Sequence, residues 1–334
     1  MEIRTLGNSG LKVSELCLGT MTFGNQADEQ TAHAILDQAL DAGVFFIDTA
    51  DVYPLGSTYE MLGQTENIIG NWLEGKRDRV VLATKCHGEM GPGPNDKGLS
   101  RKHIMSAVDD SLRRLKTDYI DLYQAHSFDA TTPLEETLRA FESLVQEGKV
   151  RYIGVSNWRA WQVMKALGLA EQKNLVRIQS VQPRYNLLFR MIEDELVPAC
   201  VEEGIGMISY NPLAGGMLTG RYQPGQGVEV GSRFSLGGLS RAGDLYQTRY
   251  WQAATFDAVE QYRAWCNERN YNMVTTAVRW VTQQRGITSA ILGASRPEQL
   301  DASLAAAQAP LLTQEELADL NGLWYSLPRR NEQR

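Results

Sequence analysis

The chain has 334 residues, 43% of them apolar and 22% charged, with a formal net charge of −7. That balance excludes a disordered, collagen-like or low-complexity protein, and an acidic chain without a basic stripe is a poor partner for nucleic acid or an anionic membrane. No apolar run approaches the roughly 18 residues of a membrane span, and the first ten residues lack a secretory pattern. Four well-separated cysteines, Cys17, Cys86, Cys200 and Cys266, read as reduced thiols, so a cytoplasmic location is expected. The histidines are scattered, with no metal-ligand spacing.

The opening segment 2–13, centred on Gly7-Asn8-Ser9-Gly10, reads as a β-hairpin. Short β-rich apolar runs follow at 16–20, 44–48, 80–84, 119–124, 152–156, 178–182, 206–210 and 289–293. Their apolarity is continuous rather than alternating, as in strands buried on both faces of a parallel sheet. Helical spacing fills the gaps: Ala32, Ile35, Leu36 and Leu40 share a face of 28–42, and Ile104, Val108, Leu112 and Leu115 a face of 101–115. Thr132-Pro133-Leu134-Glu135 and Thr313-Gln314-Glu315-Glu316 are spelled as capping boxes, predicting helix starts before 134–147 and before the last helix. Eight strands each leading into a helix predict a (β/α)8 TIM barrel, one domain over 1–334, with the hairpin outside it. Two long loops, 87–100 and the Gly-, Ser- and Arg-rich 220–250, are expected over its C-terminal face.

Barrel enzymes work at the C-terminal ends of their strands. The residues delivered there are Gly19 and Thr20, then Asp48 with Tyr53 beyond it, Lys85, His126, Ser156 and Asn157, Gln182, Tyr210, and Gly293 with Ser295 and Arg296. An ammonium beside a tyrosine favours the phenolate and lowers a pKa ordinarily about 10. A carboxylate holds that lysine charged, and a histidine can orient a carbonyl. Together these residues are the equipment for adding hydride to an aldehyde or ketone. Each has a plainer reading: a structural Asp48–Lys85 ion pair, packing roles for Tyr53 and Tyr210, a partly buried His126, and helix caps at Ser156-Asn157 and Ser295–Glu298. Their coincidence at matching strand ends favours a site. There is no G-x-G-x-x-G, so a nucleotide would bind without a Rossmann fingerprint.

D-T-A-D-V-Y (48–53), A-T-K (83–85), Y-Q-A-H (123–126), G-V-S-N (154–157), Q-P-R-Y-N-L-L (182–188), Y-N-P-L-A-G-G-M-L-T-G-R-Y (210–222) and I-L-G-A-S-R-P-E-Q-L (291–300) follow in the order of the aldo-keto reductases. The chain resembles that family over about 3–325. The stretch from Pro54 onward is similar to a bacterial branch carrying Y-P…G-x-T-E…I-G-x-W-L. The resemblance implies that Tyr53 is the general acid/base, Asp48 and Lys85 its tuning pair, and His126 the carbonyl orienter. It implies NADPH/NADP+ as cofactor, with Gly19, Thr20 and Gly293 lining its site. Ser156, Asn157 and Gln182 would bond the nicotinamide carboxamide, and Tyr210 would stack on the ring. Pro212, Leu213, Gly215, Thr219, Arg221 and Arg233 would follow the pyrophosphate beneath a 220–250 lid, and Ser295, Arg296, Gln299 and Ser303 would hold the adenosine end. An arginine beside a helix start suits a 2′-phosphate and favours NADPH over NADH.

Pro54 stands where many members have glycine, and Ala302-Ser303 where many have Glu-Asn. The partner implied is a small aldehyde or ketone, in a pocket drawing on Phe23, Tyr53, Phe128 and Trp158. Potassium-channel β-subunits also look like this family but carry asparagine where His126 stands, which favours a working reductase over a cofactor-binding regulatory subunit. A Schiff-base role for Lys85 is opposed by a pairing with Asp48.

Overall fold

Strands that are apolar on both faces have no solvent-facing side and can bury themselves only by pairing in a covered sheet. In the computed structural model, which describes residues 1–239 and 241–328, they pair until the sheet closes. An antiparallel hairpin of β1 (Ile3–Thr5) and β2 (Lys12–Ser14) comes first. The barrel strands are β3 (Leu16–Gly19), β4 (Phe46–Asp48), β5 (Val81–Cys86), β6 (Ile120–Ala125), β7 (Val150–Ser156), β8 (Ile178–Gln182), β9 (Gly206–Ser209) and β10 (Ile287–Gly293). They are parallel and neighbour one another in chain order, and β10 closes onto β3. Around them lie α1 (Glu29–Asp41), α2 (Gln64–Trp72), α3 (Arg101–Leu115), α4 (Leu134–Gln146), α5 (Ala160–Lys173), α6 (Leu196–Glu202), α7 (Ala242–Tyr250), α8 (Ala253–Glu268), α9 (Met273–Thr282), α10 (Glu298–Leu304) and α11 (Gln314–Tyr325). The protein is the (β/α)8 TIM barrel with an N-terminal hairpin that the sequence predicts.

The barrel interior is a small apolar core of Cys17, Phe46, Ala83, Leu122, Ile208 and Ile291, plugged from below by Leu6 and Val13 of the hairpin. Gly7 makes the plug possible. Its φ is +56°, and a Cβ there would stand 2.6 Å from the Gly204 carbonyl oxygen and 2.7 Å from the Gly206 nitrogen. With the floor filled by apolar side chains, the polar groups collect at the other end.

Local expectations divide. Thr313 caps α11 as spelled: Glu316 N–H donates to Thr313 Oγ1 (3.2 Å), and Thr313 N–H donates to Glu316 Oε2 (2.7 Å). Thr132 caps nothing. Pro133 stands at the cap of α4, and the Thr132 hydroxyl donates instead to Asp129 Oδ2 at 2.7 Å. A carboxylate is the stronger acceptor. The stretch 220–250 is not one loop, because α7 occupies its second half and buries Tyr246 and Tyr250. The 87–100 loop is pinned through Asp96, which accepts from Gly93 N–H at 2.8 Å, and Asp129, which accepts from Leu99 N–H at 2.8 Å. All four cysteines are buried and free. Among the described residues no helix is long and apolar enough to cross a membrane, and no cluster of three or more His, Cys, Asp or Glu could hold a metal.

Candidate active site

The ladder register sets the site. Asp48 pairs with Gly19 on one side and Ala83 on the other, Lys85 with Gln124, and Ser156 with Gln182. Lys85 therefore lies inside β5 rather than after it, as the sequence reading had it, and reaches into the barrel mouth. Its ammonium binds Asp48 Oδ1 and donates to the Thr49 carbonyl at 2.7 Å. Asp48 Oδ2 accepts from Gln124 Nε2 (3.0 Å) and Gln182 Nε2 (2.9 Å). Burial alone would push the Lys85 pKa down; the Asp48 carboxylate and the nearby Tyr53 outweigh it, and the net shift is upward.

Tyr53 sits on the turn leaving β4, its N–H donating to the Ala50 carbonyl at 3.2 Å. The Lys85 ammonium lies 5.2 Å from the centre of its ring. The His126 ring stands edge-on to it, centroids 5.8 Å apart at 81°. Both rings are partly open to solvent, whereas Asp48 and Lys85 are buried. His126 is fixed by its N–H to the Cys86 carbonyl (2.9 Å) and by Asn157 Nδ2, which donates to its carbonyl at 3.0 Å.

The electrostatics depart from the sequence expectation in one respect. Burial raises the Tyr53 pKa above the ordinary phenol value, and the opposing pull of Lys85 does not overcome it. Burial also drives His126 well below the ordinary histidine value, helped by the charge of Lys85 and by His87. At neutral pH the site therefore presents a protonated phenol, a neutral imidazole and a charged ammonium. That combination can protonate an oxygen and then stabilise the phenolate left behind.

Beside it, the Tyr210 hydroxyl donates to Asn157 Oδ1 at 2.9 Å, and Ser156 Oγ donates to the Gln182 carbonyl at 3.0 Å. Neither Ser156 nor Asn157 caps α5, whose cap is Arg159. Thr20 Oγ1 donates to the Asp48 carbonyl at 3.0 Å, tying β3 to β4 at the same level.

The profile of the Aldo/keto reductase family matches residues 15–325. The chain belongs to the aldo/keto reductase family. It is 39% identical to an uncharacterized oxidoreductase, YrpG, of Bacillus subtilis, across 97% of this chain and 96% of that protein. It is 38% identical to a probable voltage-gated potassium channel subunit beta of rice, across 99% of each chain. It is 32% identical to L-glyceraldehyde 3-phosphate reductase of Escherichia coli O157:H7, across 96% of this chain and 92% of that protein.

Aldo/keto reductases are oxidoreductases that generally work with a nicotinamide dinucleotide, and the residues after β9 and β10 fit one. The backbone turns through positive φ at Asn211 (66°), Ala214 (51°), Gly215 (70°) and Gly216 (101°). Asn211 Oδ1 holds the turn by accepting from Gly215 N–H at 2.6 Å. Facing the end of β10, Arg233 keeps its Nη1 buried without an acceptor among the described residues. A Cβ on Gly293 would stand 3.7 Å from Arg233 Nη2. Unmatched buried donors are costly, and a phosphate oxygen there would satisfy them.

The other predicted contacts are distributed less evenly. Arg221 is exposed and paired with Glu229, while the Thr219 hydroxyl donates to the Gly216 carbonyl at 2.7 Å. Ser295 forms no capping box. Its N–H and Oγ both donate to Gln299 Oε1, at 2.8 and 3.2 Å. Arg296 is exposed and makes no ion pair among the described residues, and Ser303 is buried. Pro212 and Leu213 lie on the turn that carries Gly215. The segment 233–239 reaches across the mouth: Leu239 N–H donates to the Ser57 carbonyl at 3.0 Å, and Gly238 lies against the backbone of Gly56.

Phe23 does not line a pocket. It is fully buried in the core beneath the β3 exit. The sequence reading missed Gln124, although a glutamine inside the buried run I-D-L-Y-Q-A was a usable signal. It also missed Tyr246, whose ring would lie 2.9 Å from a Cβ on Gly215. Nothing in the Gly- and Ser-rich stretch marked that residue.

Proposed function

We propose that this protein reduces the carbonyl of a small aldehyde or ketone with NADPH, Tyr53 being the proton donor. One observation carries the reading. An ammonium locked on Asp48 stands 5.2 Å from the centre of the Tyr53 ring, and the His126 ring stands edge-on to that phenol.

The bound dinucleotide supplies hydride. The chain does the rest. Tyr53 gives its hydroxyl proton to the carbonyl oxygen as negative charge builds there. Lys85 stabilises the phenolate, and Asp48 with Gln124 and Gln182 keeps Lys85 charged and in place. Neutral His126 donates an N–H to the same oxygen and so orients the carbonyl. With its pKa above the ordinary phenol value, Tyr53 carries its proton at neutral pH.

Asn157, Ser156, Gln182 and Tyr210 would hold the nicotinamide beside Gly19 and Thr20. Pro212, Leu213, Gly215, Thr219, Arg221 and Arg233 would follow the pyrophosphate to Gly293. Ser295, Gln299 and Ser303 would take the adenosine, and the exposed Arg296 the 2′-phosphate.

The test is loss of NADPH absorbance with a panel of reactive aldehydes. Turnover is expected, and it is expected to disappear on omitting the aldehyde. A second reading, a cofactor-binding subunit of a membrane channel, draws on the 38% identity to the rice protein. Tight dinucleotide binding with no turnover of any aldehyde would favour it.

A further inference from the structure

The first turn of α2 carries a charge that the chemistry above does not use. Glu66 is buried, its side chain wholly shut off from solvent. Its Oε1 accepts from the Thr84 hydroxyl at 2.6 Å, and its Oε2 accepts from Arg114 Nε and Nη2, both at 2.7 Å. Thr84 lies on β5 and Arg114 in the last turn of α3, so one carboxylate ties three elements together. Two glycines give the arginine room. A Cβ on Gly63 would stand 2.6 Å from Arg114 Cδ, and a Cβ on Gly70 would stand 2.2 Å from the Arg114 carbonyl oxygen. The G-x-T-E…I-G stretch, Gly63 to Gly70, thus spells a seat for Arg114.

This tie is adjacent in the chain to what holds Tyr53 and Lys85. Side chains alternate along a strand. Lys85 reaches into the barrel mouth, so its neighbour Thr84 faces the other way, onto α2. At the start of α2 the cap is Gly63, which has no side chain to satisfy the first N–H groups of the helix. Thr65, next to Glu66, donates its N–H to the Tyr53 carbonyl at 3.4 Å. The turn leading to Tyr53 is pinned to β5 as well, Asp51 N–H donating to the Lys85 carbonyl at 3.1 Å. A buried ion pair adds little net stability over packed apolar groups, and its best-attested use is to fix one register.

We propose that Glu66, held by Arg114, is a positioning residue that sets the Tyr53 ring at its working distance from the Lys85 ammonium. This rests on the reductase reading of Tyr53 and Lys85 and adds to it a support outside the barrel mouth. The Thr84 bond holds the strand that carries the lysine, and the first turn of α2 holds the backbone that carries the phenol.

The test begins with Thr84→Val, which keeps the outline of the side chain and removes the hydroxyl, and Thr84→Ser, which returns it. Protein loaded with NADPH is mixed with benzaldehyde, and a single turnover is followed. The rate should fall about tenfold in Thr84→Val, as for a slightly displaced reacting group, and recover in Thr84→Ser. Affinities for benzaldehyde and NADPH should not change. The solvent deuterium isotope effect should grow, because the Tyr53 proton is then harder to pass. Glu66→Gln keeps an acceptor for Thr84 and gives up the charge facing Arg114. It should move the same readouts in the same direction, and it serves where Thr84→Val folds poorly. Rates equal to wild type in both variants overturn the proposal. So does a lower rate that matches a loss of NADPH-binding sites at an unchanged isotope effect, which reports only less folded protein. A second readout needs no turnover. In protein carrying 3-fluorotyrosine, the Tyr53 line, identified by its absence from Tyr53→Phe, should move in Thr84→Val and return in Thr84→Ser. That result in a protein that turns over no aldehyde keeps the positioning role and removes the reductase reading. Turnover with the line and the rates unmoved does the reverse.

Discussion

Lys85 and Asp48 meet head to head in the barrel mouth, the lysine fully and the aspartate almost fully shut off from solvent. A pair in that position adds little to stability as a pair, yet removing one member strands the other. Asp48→Asn should therefore destabilise the fold by about 3–5 kcal/mol in chemical denaturation. Combining it with Lys85→Met should recover part of that loss. A double variant less stable than Asp48→Asn alone would contradict this account of the pair.

The pH profile follows from the two opposite shifts at Tyr53 and His126. The folded phenol holds its proton more tightly than a free one, so reductive kcat/KM should stay level through neutrality and fall only above about pH 10. The folded imidazole resists protonation, so no acid limb should appear near the ordinary histidine value of about 6.5. An inflection between about pH 6 and 8, measured under subsaturating aldehyde, would contradict both assignments.

Two arginines should separate by cofactor. Arg233 holds a buried nitrogen without an acceptor and would meet the pyrophosphate common to both dinucleotides, so Arg233→Ala should weaken NADH and NADPH alike. Arg296 is exposed and makes no ion pair among the described residues, and Arg296→Ala should weaken NADPH alone, by about tenfold or a little more, as expected for one charge-assisted bond. The acids Glu298 and Asp301 in the first turn of α10 keep that effect modest. Fluorescence titration checks it, and equal losses for both cofactors in Arg296→Ala would remove the 2′-phosphate role.

Asp51 makes a stability prediction. It is fully buried, and among the described residues its carboxyl oxygens take no side-chain hydrogen bond. Burial first, and then the charge of Glu66, raises its pKa well above the usual carboxylate value, against the opposing pull of Arg114, a Val52 backbone contact and Lys85. The folded state thus keeps a proton that the unfolded chain releases above about pH 4, and stability drains away as pH rises from there toward the folded pKa. Asp51→Asn removes the penalty. Its melting temperature relative to wild type should improve between pH 4.5 and pH 7.5, and an advantage that shrinks over that interval would contradict the prediction.

Much of this was legible in the sequence because continuous apolar runs and helical spacing are strong periodic signals. All eight barrel strands fall where those runs lie, with edges moved by a few residues: β10 begins at Ile287 and β5 runs on through Cys86. Of the residues expected at the strand ends, Asp48 is bonded to Lys85 and Gln182, Asn157 to Tyr210, and Tyr53 stands beside Lys85 and His126. What was not legible depends on tertiary competition. Thr132 had the spelling of a cap and lost its hydroxyl to Asp129. Phe23 follows a strand end yet turns into the core. The net direction of the Tyr53 shift needed the degree of burial, which spacing along a chain does not contain. Helix α7 was hidden because Ala242–Tyr250 has almost no one-sided apolar stripe, and packing against Arg233–Ser235 and Ala214–Thr219 sustains it instead.

The most direct test of the central claim is the reduction rate of Tyr53→Phe. The substitution keeps the ring beside Lys85 and His126 and removes only the proton donor. The account predicts that kcat for aldehyde reduction falls by roughly 10²–10⁴-fold while dinucleotide affinity is unchanged. A Tyr53→Phe protein that reduces aldehydes at close to the wild-type rate would contradict it.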